Sequence, residues 1–114
     1  SILMISQRDL FLVPFPFSDQ QGTKVRPVVA LSNNKFNCNS EEVIVAAVTS
    51  NLTKEKYSLG LSSCDLEEGI LNHNCCIKAE NILKLDKNLI LKKIGKIKQE
   101  KHNQIIKLIE EIIS

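Results

Sequence analysis

The run EVIVAAVTS, residues 42–50, decides the fold. Valine, isoleucine and threonine dominate it, and no charge interrupts it after Glu42, so it reads as a central strand. At its end Thr49 and Ser50 put hydroxyls where aliphatic side chains stood. Immediately upstream, PVVALS (27–32) is a second continuous apolar run bounded by turn residues, the pattern of a buried strand. The asparagine-rich segment between them, 33–40, is expected to be a loop.

Working outward, Asp9 to Val13 is a short β-rich run closed by Pro14 and Pro16. Proline cannot donate to a ladder, so the strand should stop there or go on only as an edge. SDQQGTK (18–24) is a polar loop turning at Gly22. On the other side, KYSLGLS (56–62) alternates and should pair, whereas 65–74, with Gly69, should connect rather than pair. CCIKAENILKL (75–85) holds a strand with Lys78 and Glu80 on one face and Ile77 and Ala79 on the other. Residues 86–88 form a turn or one helical turn, and ILKKIGKI (90–97) is a last, basic strand. The period then changes: Ile105, Ile106, Leu108, Ile109, Ile112 and Ile113 recur at helical spacing. Five or six consecutive, mostly antiparallel strands and one C-terminal amphipathic helix make a mainly β chain, a small, strongly bent barrel.

With 114 residues the chain is one domain, in which Ser1–Leu3 read as an addition ahead of Met4. Its core is modest, and pairing with a second copy would help it. The formal charge of +2 exerts no overall pull on nucleic acid, so such binding would rest on a local cluster of lysine and arginine. Cys38, Cys64, Cys75 and Cys76 fit no zinc spacing, and reduced buried thiols are expected. No apolar run is long enough to span a bilayer and no secretory pattern opens the chain, so a soluble cytoplasmic protein is expected.

Gly-rich phosphate loops, His-x-x-x-His, Cys-x-x-Cys and Gly-x-Ser-x-Gly are absent from the sequence. His73 and His102 have no partner nearby in sequence, and His102, at the polar start of the helix, is expected to be solvated. What remains are polar groups at strand ends. Pro27 biases Arg26 toward an extended backbone and so narrows where its guanidinium can go. Singly each candidate has a plain structural reading: Arg26 a surface charge, Thr49 a strand former, Lys78 and Glu80 the wet side of a sheet.

Four segments, in order, resemble one family. They are RDLFLVPFPFSD (8–19), GTKVRPVVALSN (22–33), VIVAAVTSNL (43–52) and CIKAENILKLDKNLILKKIGKI (76–97). The second carries a Gly-x-x-x-Arg-Pro signature and the third a strand ending in Thr-Ser. Together they are similar to the MazF/PemK ribonuclease toxins of bacterial toxin–antitoxin pairs, and the last is close to the PemK branch.

The resemblance implies a small SH3-like barrel with a C-terminal helix. It also implies a metal-independent, cofactor-free endoribonuclease cutting single-stranded RNA, usually mRNA, with sequence preference. A homodimer, a cognate antitoxin that blocks the RNA groove, and DNA binding together with that antitoxin are implied as well. By position, Arg26 and Thr49 match the family's catalytic arginine and threonine. Glu80 falls where some members place a catalytic carboxylate; Ser50, Lys78, Lys24 and Gln21 are the expected substrate-binding residues. Lys78 stands where arginine occurs in some members, and the first-loop histidine of others is missing. A barrel toxin that inhibits a protein target, as the gyrase poison CcdB does, is the alternative; the pair Arg26 and Thr49 separates the two, because a gyrase poison gains nothing from it.

Overall fold

A computed structural model describes residues 4–16, 23–52 and 56–114, with backbone alone at 15, 16, 23 and 24. Seven strands form one antiparallel sheet: β1 (Asp9–Pro16), β2 (Thr23–Ala30), β3 (Glu42–Thr49), β4 (Ser58–Leu61), β5 (Leu66–Gly69), β6 (Cys75–Asp86) and β7 (Lys92–Ile97). Their order is β4-β6-β3-β2-β1-β7-β5. Two helices, α1 (Asn34–Asn39) and α2 (Gln99–Ile113), and two single 3-10 turns, Ser63–Asp65 and Lys87–Leu89, complete the described chain.

The apolar run of β3 pairs with β2 and β6 along its edges and is buried on both faces, because a cluster of apolar side chains packs on each. Strand alternation sorts its side chains into two clusters. Ala46 and Val48 join Leu10, Val29, Ile77, Ile97 and Ile105 of α2; Val43 and Val45 join Phe11, Val13, Val28, Ala30 and Leu85. The first cluster draws on every strand, including both edges through Leu61 of β4 and Leu66 of β5. Laid flat, seven strands would separate those edges by roughly 29 Å, so the sheet must curl strongly for them to share a core. Irregular registers between Leu10 and Phe11, Ala46 and Ala47, and Leu66 and Glu68 supply the bends.

Several expectations change. The strand count rises from five or six to seven because Leu66–Gly69 pairs with β7 instead of merely connecting. That pairing depends on glycines: Gly69 takes φ +90 and faces Gly95, where a Cβ would lie 2.6 Å from the Glu68 carbonyl oxygen. β1 runs through both prolines as an edge, since β7 stops pairing with it at Leu12. The asparagine-rich segment holds α1, capped by the Asn33 side chain, which accepts from Phe36 N at 2.8 Å. Cys38 and Cys64 are exposed, and only Cys75 and Cys76 are buried. His102 is only 5 % exposed, because the first turn of α2 packs down onto the sheet. The apolar stripe of α2 is buried at Ile105 and runs out into solvent at Ile113. Among the described residues no helix is long and apolar enough to cross a membrane.

Candidate active site

Val28 of β2 is registered opposite Ala47 of β3. Arg26 stands two residues before Val28 and Thr49 two residues after Ala47, so alternation sends both side chains from one face at the same end of this ladder. Both are half-buried. Arg26 therefore lies inside β2, opposite Val13 of β1, and not at a loop exit. A strand fixes its backbone on both sides of Pro27, which aims the guanidinium more narrowly than a loop would.

Thr49 Oγ1 accepts the backbone N–H of Asn51 at 3.1 Å. That bond uses an oxygen lone pair and holds the side chain, and the hydroxyl keeps its own proton to donate. On its far side Thr49 is opposite Cys76 of β6, which in turn faces Gly60 of β4. One row down, Ala47 is opposite Lys78, and Lys78 is opposite Ser58. Directly opposed residues share a face, so Arg26, Thr49, Cys76, Lys78 and Ser58 make one patch across four strands. It joins two cations, two hydroxyls and a thiol, a donor-rich surface matched to a phosphodiester.

The family comparison completes this picture: residues 6–113 match the model of the PemK-like, MazF-like toxin of type II toxin-antitoxin system. The chain belongs to that family. This PemK-like chain is also 30% identical over 105 residues to the Endoribonuclease MazF of Staphylococcus saprophyticus subsp. saprophyticus, across 90% of the chain and 85% of the relative. Its fold is similar to that of MazE-MazF (Form-II) from Deinococcus radiodurans, with a TM-score of 0.80 at 14% identity over 98% of this chain and 97% of the other. It is likewise similar to an endoribonuclease in complex with its cognate antitoxin from Mycobacterial species, with a TM-score of 0.73 at 16% identity over 96% and 94%. At those identities the structural likeness speaks for the fold alone.

The other expected residues of this PemK-like chain fall into place unevenly. Lys78 belongs to the patch, half-buried in its second row. Ser50 follows Thr49 and is exposed. Glu80 is exposed and sits where β6 breaks register: Ala47 faces Lys78 but Ala46 faces Ile82, so 79–81 have no opposite residue in β3. The register that brings Arg26, Thr49 and Lys78 together therefore leaves Glu80 out. Lys24 lies in β2 opposite Phe15, and Gln21 lies outside the described residues. Ser58, Gly60 and Cys76 join the patch without having been singled out. Alternation along β6 groups Cys76 with Lys78, but only the strand pairing sets both beside Thr49.

Cys75, the neighbour of Cys76, points into the core, where burial raises its thiol pKa and the adjacent Cys76 adds to the effect. It stays a protonated, unreactive thiol. A cavity of about 670 Å³ lies at the opposite end of β3, lined by Ile5, Asn37, Cys38, Lys87 and Ile90, and contains none of the patch residues.

Proposed function

We propose that this chain is an endoribonuclease toxin that cuts single-stranded RNA without a metal ion and is held in check by a cognate antitoxin. The observation that carries the reading is the pair Arg26 and Thr49, directed from one face at one end of the β2–β3 ladder. Family membership supports it, as does the relative named Endoribonuclease MazF. The antitoxin complexes of the structural neighbours support the partner, and a homodimer would supply a longer groove for the strand. No observation favours a protein target over RNA.

In the reaction the ribose 2'-oxygen attacks the scissile phosphorus. The bond from phosphorus to the 5'-oxygen breaks, leaving a 2',3'-cyclic phosphate and a 5'-hydroxyl. The 2'-hydroxyl proton goes to a base, and the departing 5'-oxygen takes up a proton. Arg26 clamps two phosphate oxygens with its planar fork and stabilises the charge that grows on them. One such donor is worth about 3–4 kcal/mol of barrier. Thr49 donates its hydroxyl to a third position and aligns the bond being cut. Lys78, Lys24 and Ser50 hold flanking phosphates. Arginine stays protonated, so Arg26 is a poor base. In this reading Glu80, two residues beyond Lys78 at the β6 irregularity, takes that role.

The test is incubation of purified, antitoxin-free protein with a mixed single-stranded RNA in excess chelator, with the cut ends mapped. Cyclic phosphate ends are expected, lost in Arg26→Ala and in Thr49→Ala, while Glu80→Gln lowers the cleavage rate by about 10²-fold or more. Absence of cleavage of any RNA overturns the reading, and loss of cleavage in chelator overturns the metal-free mechanism.

A further inference from the structure

The patch contains one position that folding does not explain. Gly60 lies on β4, the sheet's edge, directly opposite Cys76 and so one strand further along the row that holds Thr49. Glycine weakens a strand and needs a reason there. The usual reasons fail. Gly69, not Gly60, carries the positive φ. A Cβ built on Gly60 would meet no heavy atom of the described residues within 4 Å, so none of them presses on it. The backbone is nonetheless held: Lys101 Nζ of α2 donates to the Gly60 carbonyl at 3.1 Å and also pairs with Asp65 at 3.4 Å. The result is a held stretch of edge strand without a side chain, a gap in the side-chain layer beside Cys76 and open to solvent.

We infer that this gap is the subsite for the base flanking the scissile phosphate, and that Gly60 determines which base fits; the inference rests on the ribonuclease reading above. The remaining reason for a glycine in a strand is close approach of another molecule to its backbone. The row Gly60–Cys76–Thr49 puts that approach two strands, about 10 Å, from Thr49. A planar base lies flat over the bare backbone. Ser58 and Lys78 form the adjacent row, where a hydroxyl reads a base edge and an ammonium meets the next phosphate. A side chain at position 60 would stand in this slot. Arg26 and Thr49 would then still bind the phosphate, but with the wrong neighbour selected.

The test is Gly60→Phe, with Gly60→Ala beside it, assayed on a panel of oligoribonucleotides carrying each base on either side of the wild-type cut. Both variants should unfold at or slightly above the wild-type temperature, because the added atoms enter open space and a strand glycine is removed. Gly60→Phe should lower kcat/KM for the preferred base at one flanking position by about tenfold or more and reorder the four bases there. Gly60→Ala, whose single Cβ occupies the same gap, should shift the ranking in the same direction by a smaller factor. A ranking unchanged at both positions in both variants, with wild-type rates, overturns the subsite and leaves the ribonuclease reading intact. Failure of the wild-type protein to cleave any RNA removes both.

Discussion

At Arg26 the chemistry asks for a fork more than for a charge. Arg26→Lys keeps the cation but loses the bidentate grip on phosphate. Its kcat should therefore fall close to that of Arg26→Ala, by about 10²–10³ as for a single missing oxyanion donor. Single-turnover rates on a cleavable oligonucleotide check this. A second residue matters to stability and not to chemistry. His102 is buried, its Nδ1 has no hydrogen-bond partner among the described residues, and burial, aided by the nearby Arg8 guanidinium, holds its pKa below the ordinary 6.5. Arg8 cannot move off easily, since it binds Glu67 Oε1 at 2.8 Å and the Ile97 carbonyl at 2.9 Å. A lowered folded-state pKa means that the unfolded chain binds the proton more readily. The contribution of His102 is thus fully present above about pH 6.5 and lost as the pH falls toward the folded value. Urea unfolding at pH 7.5 and pH 5.0 should show a larger drop for the wild type than for His102→Asn.

Among the elements, β5 and β6 carry the least predictable features. Leu66–Gly69 has two glutamates and a glycine in four residues, a poor strand by composition. It pairs because Gly69 and Gly95 let the two backbones meet. Gly95→Ala puts a methyl group against the Glu68 carbonyl and should cost about 1–3 kcal/mol. Amide exchange should rise in 66–69 before it rises elsewhere. The register break in β6 has a similar origin in three dimensions. Alternation along KAE correctly separates buried Ala79 from exposed Glu80, yet it says nothing of which neighbour each one meets. The asparagine-rich stretch shows the same limit, because Asn33 serves equally in a turn or as a helix cap, and α1 is only six residues long.

For the whole molecule, the curl of the sheet and the seat of α2 are one problem. Ile105 is fully buried in the cluster to which all seven strands contribute, so it plugs the curled sheet. Ile105→Ala should destabilise the protein by about 2–5 kcal/mol by urea unfolding. Exposed Ile113 lies beyond that cluster, and its truncation should change stability little. The sequence alone determined the strong strands β1, β2, β3, β6 and β7, the amphipathic helix and the polar end of β3 at Thr49. Those follow from side-chain period and backbone restriction, both local properties. Only the tertiary structure decided that β2 and β3 end together, that Cys76, Lys78 and Ser58 stand beside Thr49, that Glu80 falls in a register break and that His102 is buried. Each of these depends on which strand lies next to which, and strand pairing joins residues far apart in the chain, where local pattern carries no information.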